Sequence, residues 1–179
     1  CALLAAHTNA DLAIGGVSEA MAAALGLSGL APITTEAAGS ESDAEPSAGT
    51  GRIGEVAPTT LRAFADRVSA ALPATAQGVR VAGDPDRAVR RVALLAGAGD
   101  FLLDTMAASD ADVFVTSDLR HHPASEFVEK DGPALVDVAH WAAEWTWLPV
   151  VESRLRSALG DAVETRVSTL VTDPWTFRV

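Results

Sequence analysis

Residues 92–99, Val-Ala-Leu-Leu-Ala-Gly-Ala-Gly, decide the fold of this chain. The first five of them are apolar without a polar residue between them, which favours a strand buried on both faces of a sheet. We predict two more strands of this kind at residues 112–116 and 135–139, with helical segments between them. Buried strands that alternate with helices predict an α/β fold with a mixed, largely parallel sheet and flanking helices.

The chain ends and one polar segment complete this prediction. Residues 1–6 are an apolar run that we interpret as a short buried strand, and we interpret residues 163–171 as a closing strand. Residues 34–52 contain no Val, Ile, Leu, Met, Phe or Trp. A segment that cannot bury an apolar face is typical of a flexible linker or loop. We therefore expect ordered structure on both sides of it, at residues 1–33 and 53–179.

The composition disfavours several classes of function. The chain has 179 residues, 49% of them hydrophobic, so it can bury a core. The formal net charge of −11 disfavours broad nucleic-acid binding and binding to an anionic membrane surface. No apolar run reaches the ~18 residues of a membrane-spanning helix. Cys1 is the only cysteine, so we expect no intrachain disulfide and no cysteine-rich zinc site, which fits a reducing cytoplasm.

Residues that can carry chemistry are concentrated at four predicted strand ends, namely residues 7–11, 97–100, 116–122 and 140–144. All four histidines of the chain lie in three of these segments. Open α/β sheets bind their ligands beside the carboxyl ends of the strands. We therefore expect a functional site where these segments meet.

His140 and Glu144 are the sharpest pair of candidates. At positions i and i+4 of a helix, their side chains share one face, about 5–6 Å apart at Cβ. An imidazole and a carboxylate placed in this way can bind one divalent cation, or one ion each of a close pair. A surface ion pair at the start of a helix is the alternative. Asp11 is a third candidate ligand, with an Asx turn or a helix cap as its alternative.

Asp118 and His122 are candidates for metal ligands, acid–base groups, or residues that orient the metal-binding histidines. A hydrogen-bonded loop is the alternative, with His121 facing solvent. Residues 97–99 lack the third glycine of the dinucleotide fingerprint and precede Asp100, so a tight turn is favoured over a nucleotide site. The sequence contains no nucleophile elbow, so covalent acyl chemistry has no support.

Six short motifs, taken in their order along the chain, point to one family. They are HTNAD (7–11), GGV (15–17), GRIG (51–54), VALLAGAG (92–99), TSDLRHH (116–122) and LVDVAHWAAE (135–144). With these motifs the chain resembles the NIF-three-like dinuclear metal-centre proteins, the type-2 GTP cyclohydrolase I homologues. The motifs span nearly the whole chain, and the set is specific although each member is short.

The resemblance implies an α/β fold of two similar halves, assembled as a hexameric ring. Residues 1–33 would be the end of the first half, which we expect to lack its upstream part. Residues 34–52 would be the flexible linker, and residues 53–179 would form the second half.

The resemblance also implies two divalent metal ions in each intact chain. Asp11, His140 and Glu144 match three of the family's ligands. The family's histidine pair lies upstream of residue 1, so it has no counterpart here, and we expect this segment alone to bind metal poorly. Mixed histidine and carboxylate ligands suit zinc, iron or manganese.

Three functional hypotheses follow. The first is a metal-dependent hydrolase acting on a small polar, nucleotide-like substrate, with Asp118 and His122 in proton transfer or in orienting the ligands. The family label points to ring opening of GTP. The second is a non-catalytic metal-binding regulatory or scaffold ring protein. The third is a nucleotide-binding module that uses the loop at Gly97, and its nucleotide affinity would survive removal of metal.

Overall fold

The computed structural model describes residues 2–35 and 48–179, and these form one sheet with helices on both faces. Within them the strands are β1 Ser28–Ala31, β2 Arg52–Thr60, β3 Arg80–Ala82, β4 Ala88–Ala98, β5 Val113–Ser117 and β6 Ala134–Val138. The α-helices are α1 Thr8–Leu12, α2 Val17–Ala24, α3 Leu61–Ala71, α4 Leu103–Ala107, α5 His121–Val128, α6 His140–Trp145 and α7 Leu148–Leu159. Two 3-10 turns lie at Asp100–Leu102 and Gly160–Ala162. None of the helices described is long and apolar enough to cross a membrane.

The centre of the sheet is parallel and its flanks are antiparallel. The strand order is β1-β2-β4-β5-β6-β3. β4, β5 and β6 run in parallel, with Val92 opposite Val113 and Val115 opposite Val136. β1, β2 and β3 are antiparallel to their neighbours. The predicted α/β fold with a mixed sheet is confirmed, and its parallel part is limited to the three strands from which it was predicted.

The central strands are buried on both faces, as the uninterrupted apolar run of β4 predicted. Val92 and Leu94 pack in a core cluster with residues of α2, α3 and α6. Ala93 and Leu95 pack in a second cluster with residues of α4 and α5. Because side chains alternate across a strand, both sets must be apolar when helices cover both faces.

β2 was not predicted, because its sequence contains two residues that weaken strands, Gly54 and Pro58. The sheet accommodates both of them. The pairing of β2 with β4 is irregular between Glu55 and Thr59, where Pro58 lies. A Cβ at Gly54 would come within 2.8 Å of the Ser28 carbonyl oxygen in β1. A local irregularity and a close backbone approach therefore replace the usual strand pattern.

Both predicted terminal strands are wrong. Residues 2–6 and 163–171 contain no strand, and residue 1 lies outside the described residues. Leu3 is 97% exposed and Leu170 is 76% exposed. The local sequence alone was a poor guide, because a strand also needs a neighbour to pair with its backbone N–H and C=O groups.

Most of the predicted linker, residues 36–47, lies outside the described residues. The residues beside this gap are part of the sheet region, since Thr34 and Thr50 form a bridge. β1, which precedes the gap, pairs with β2, which follows it. The division of the chain into two halves stays a prediction.

Candidate metal centre

The three parallel strands bring the candidate residues to one edge of the sheet. β4 ends beside Gly97, Asp118 directly follows β5, and His140 begins α6 two residues after β6. Parallel strands present their carboxyl ends at the same edge, where α/β sheets bind ligands. Side chains that are far apart in the sequence therefore meet there.

The ring of His140 lies between two carboxylates. Its Nδ1 is 2.7 Å from Asp118 Oδ2, and its Nε2 is 2.8 Å from Glu144 Oε1. The hydrogen bond with Glu144 is the largest cause that raises the pKa of His140 to about 9; burial opposes it, and the bond with Asp118 adds to it. Without a metal ion, His140 is therefore protonated at neutral pH and donates to both carboxylates.

Gly97 leaves space in front of these donor atoms. Its φ of +109° is a backbone conformation that favours glycine. A Cβ added there would lie 3.5 Å from His140 Nε2 and 3.5 Å from Glu144 Oε1. The Thr116 hydroxyl donates to the Gly97 carbonyl oxygen at 2.9 Å and ties the end of β4 to β5. The backbone conformation thus favours glycine here, and a Cβ would occupy the space in front of the two donor atoms at ordinary contact distance.

Asp11, on α1, lines the same cavity of about 350 Å³ as His140, Glu144 and His7. Burial is the largest cause that raises the pKa of Asp11, and the charge of His7 lowers it. The charge of Glu144 also raises this pKa, and the charge of His140 lowers it. Asp11 is therefore close enough to the other two candidate ligands to share their electrostatic environment.

These donors fit a divalent metal ion in kind but fall short in number. Imidazole nitrogen and carboxylate oxygen suit zinc, iron and manganese. A metal-binding histidine commonly donates its other ring N–H to a carboxylate, which is the place of Asp118 here. Among residues 2–35 and 48–179, however, no three His, Cys, Asp or Glu side chains converge as a metal-binding group. His140 and Glu144 form a donor pair, and Asp11 lies in their cavity without meeting them at one point.

His121 and His122 lie in the first turn of α5. Their rings meet edge to face with centroids 5.2 Å apart, and both residues are exposed. Neither ring is hydrogen-bonded to the donor pair in the part of the chain that the structure describes. The proton-transfer role of His122 stays a prediction.

The buried carboxylate of Asp137 supports Asp118 and was not predicted. Asp118 adopts a φ of +59°, which is uncommon for a residue other than glycine. The next residue, Leu119, donates its backbone N–H to Asp137 Oδ1 at 3.0 Å. Asp137 Oδ2 accepts from Gln77 Nε2 at 2.8 Å and from Arg80 Nε at 2.9 Å. A charged residue inside the apolar strand LVDV was a signal for this, because buried charges are usually paired.

Arg52 supports the Asp11 side of the site, and no feature of the surrounding sequence indicated this role. Its side chain is 1% exposed and forms an ion pair with Glu19 at 2.9 Å. It also donates to the carbonyl oxygen of Ala13, two residues beyond Asp11, at 3.1 Å. The loop before β2 supplies two further acceptors, the carbonyl oxygens of Gly49 and Gly51. Arg52 therefore ties the end of α1 to α2 and to β2.

Comparison with known proteins places this arrangement in a family. Residues 1–174 match the model of Duf34/NIF3 (NGG1p interacting factor 3). The chain belongs to the Duf34/NIF3 family. A Streptomyces coelicolor protein named "GTP cyclohydrolase 1 type 2 homolog" is 47% identical over 182 residues, which cover 99% of this chain and 62% of that protein. A Mycobacterium tuberculosis protein of the same name is 54% identical over 128 residues, covering 71% of this chain and 34% of that protein.

Solved structures agree with the fold of this Duf34/NIF3 chain. A Staphylococcus aureus protein superposes with a TM-score of 0.82 at 23% identity. The superposition covers 98% of this chain and 69% of the Staphylococcus aureus protein. A Bacillus cereus protein related to NIF3 has a TM-score of 0.82 at 22% identity, with 97% and 72% covered. At these identities the likeness concerns the fold. The chain spans less than two thirds of the Streptomyces coelicolor relative.

Proposed function

We propose that this Duf34/NIF3 chain contributes to a centre of two divalent metal ions, and that the complete centre is a hydrolase for a small polar, nucleotide-like substrate. One observation carries the proposal. The ring of His140 is held between Asp118 and Glu144, with Gly97 leaving space at its Nε2. The name of the relatives, GTP cyclohydrolase 1 type 2 homolog, supports a nucleotide as the substrate class.

Each residue has a separate part in this proposal. His140 offers Nε2 as a neutral imidazole ligand, and Glu144 and Asp11 offer carboxylate oxygens. Asp118 accepts the Nδ1–H of His140, which fixes the orientation of the ring and makes Nε2 a better ligand. Gly97 leaves room for the approach of a ligand to these atoms. Divalent ions in such sites act as Lewis acids toward the substrate and its attacking water.

A two-metal centre needs more ligands than these three residues, so the proposal requires further ligands from outside the described residues. It also retains zinc, iron and manganese as candidate metals, because the donors are mixed nitrogen and oxygen. A homo-hexameric ring is proposed as the assembly, on the family resemblance alone. With an incomplete ligand set, we expect the 179-residue chain to bind metal weakly.

Weak binding is best located by paramagnetic broadening. Added Mn²⁺ should broaden the NMR signals of His140, Glu144 and the Gly97 amide first. His140→Ala should remove this local broadening, and Asp11→Ala should weaken it. His121→Ala is the matched control, since it removes an exposed histidine outside the donor pair, and it should leave the pattern unchanged.

Two results would count against the proposal. Broadening that follows His121 and His122 would place the metal on α5, and broadening unaffected by His140→Ala would exclude His140 as a ligand. Turnover of GTP, followed by chromatography with and without added metal, separates the hydrolase from the non-catalytic alternative.

A further inference from the structure

A second cavity, of about 250 Å³, lies beside the donor pair. Asp11 and Glu144 line it together with three of the four tryptophans of the chain, Trp141, Trp145 and Trp147. These tryptophans lie on α6 and in the turn that follows it. The lining of the cavity thus combines candidate metal ligands with aromatic rings.

Two of the three tryptophan rings are held in position by their own hydrogen bonds. Trp147 Nε1 donates to the Gly15 carbonyl oxygen at 3.1 Å, and Trp145 Nε1 donates to the Ser168 carbonyl oxygen at 2.9 Å. Trp141 and Trp147 also pack against the core cluster of α2, α3 and α6. Because both indole N–H groups are already used, Trp145 and Trp147 offer mainly ring surface to the cavity. Fixed aromatic surface favours stacking on a planar ring.

This cavity has a net acidic lining, with the carboxylates of Asp11 and Glu144 against the imidazole of His7, whereas His140 lines only the adjoining cavity. In the described part of the chain, neither this cavity nor the adjoining one of about 350 Å³ is lined by a lysine or an arginine. Asp11 and Glu144 line both cavities and would repel an anion. Phosphate binding in proteins depends on cationic side chains, helix N-termini or metal ions.

The size of the cavity selects a small ligand. Pockets for drug-sized ligands have volumes of about 300–1,000 Å³. At about 250 Å³ this cavity lies below that range and is large enough for one ring system.

We propose that the tryptophan cavity binds an uncharged planar nitrogen heterocycle, a free base or the base of a nucleoside, by stacking it on Trp145 and its neighbours. The edge of the ring faces the carboxylates of Asp11 and Glu144, which accept its N–H groups. As the site for a substrate ring, the cavity rests on the proposed function, because it shares Asp11 and Glu144 with the metal centre. Binding of the ring itself requires no metal.

Calorimetric titration of the 179-residue chain in EDTA tests this inference, with guanosine, GTP and ribose as probes. We expect saturable binding of guanosine, no tighter binding of GTP, and no binding of ribose. Trp145→Leu should weaken guanosine binding about tenfold or more, as expected for the loss of one stacking contact. Trp145→Phe should stay within about threefold of the wild-type affinity. Both variants lose the hydrogen bond to Ser168, so only the aromatic ring separates them.

The indole N–H signals in NMR spectra provide a readout that needs no variant. Guanosine should shift the signals of the cavity tryptophans and leave Trp175, which lines a different cavity, unchanged. Absence of guanosine binding, equal losses in Trp145→Leu and Trp145→Phe, or GTP binding tenfold tighter than guanosine in EDTA would each overturn the inference. Failure of the metal proposal is recognised separately. In that case the Mn²⁺ broadening does not depend on His140, whereas guanosine still binds in EDTA.

Discussion

The two sides of the candidate centre are supported by buried charges of opposite sign. On the Asp11 side, the supporting residue is a cation, Arg52, with its side chain 1% exposed. On the Asp118 side it is an anion, Asp137, with its side chain 7% exposed. The partner of Arg52, Glu19, is 20% exposed, whereas the partner of Asp137, Arg80, is 59% exposed.

This difference separates support of the fold from support of the site. Arg52 satisfies acceptors from three separate segments, so its loss would leave several buried oxygen atoms unpaired at once. Asp137 satisfies one backbone N–H next to Asp118, and its main cationic partner is half in solvent. We therefore expect changes at Arg52 to act mainly on stability and changes at Asp137 to act mainly on metal binding.

The largest expected effect is on stability, from Arg52→Met. Removal of one partner of a buried ion pair costs about 3–5 kcal/mol, because the remaining partner and the carbonyl groups lose their compensation. Urea denaturation should show the free energy of unfolding lowered by about this amount. Arg90→Met is the matched control, since Arg90 is 66% exposed and pairs with the exposed Glu55. An exposed pair contributes about 0–1 kcal/mol, so equal losses in the two variants would contradict the assigned role of Arg52.

Asp137→Asn should have a smaller effect on stability and a specific effect on metal binding. The amide can no longer accept from both Leu119 and Arg80 without placing an N–H group against one of these donors. A lost buried hydrogen bond costs about 1–3 kcal/mol of unfolding free energy. Loosening of the turn at Asp118 should reduce the affinity for Mn²⁺ about 10- to 100-fold, the usual cost of losing support for a metal ligand.

Asp110→Asn is the control for this measurement. Asp110 is 77% exposed and pairs with Arg91 at the surface. Its variant should retain both the stability and the Mn²⁺ affinity of the wild type. If Asp137→Asn loses stability but keeps its Mn²⁺ affinity, then Asp137 supports the fold in the same way as Arg52, and the contrast between the two sides disappears.

The sequence predicted the central part of the molecule well, for a physical reason. Strands buried on both faces appear as short apolar runs, so β4, β5 and β6 could be recognised together with the polar residues at their ends. The pairing of His140 with Glu144 was predicted from helical spacing. The contact between His140 and Asp118 joins residues 22 positions apart and depends on β5 and β6 being neighbours in the sheet.

The strands and residues that were missed or wrongly predicted depend on partners that the local sequence does not reveal. β2 was missed because its pairing tolerates Gly54 and Pro58. Residues 163–171 were predicted as a closing strand, yet they have no paired neighbour among the described residues. Arg52 and Asp137 were not recognised, because each is paired with a residue that is far away in the sequence. Glu19 lies 33 positions from Arg52, and Arg80 lies 57 positions from Asp137.

The smallest expected effect is the pH dependence of the metal-free chain. The folded pKa of His140, about 9, is above its ordinary value of 6.5. The contribution of the charged ring to stability is therefore fully present below pH 6.5 and is lost as the pH rises through about 9. His140 is 40% exposed, so solvent screening keeps this contribution small.

At pH 8, Mn²⁺ binding should release nearly one proton from His140 Nε2. This release is measurable by calorimetry in buffers of different ionisation enthalpy.

Two variants relate this titration to the two carboxylates, with NMR titration of the His140 ring as the measurement. Glu144→Gln should lower the pKa of His140 more than Asp118→Asn does, because the hydrogen bond with Glu144 is the largest cause of the shift. Asp137→Asn leaves both carboxylates in place, so it should lower the pKa only as far as it moves Asp118 away from Nδ1. An unchanged pKa in Asp137→Asn, together with weaker Mn²⁺ binding, would mean that Asp137 acts on the metal site by a route other than the Asp118 turn.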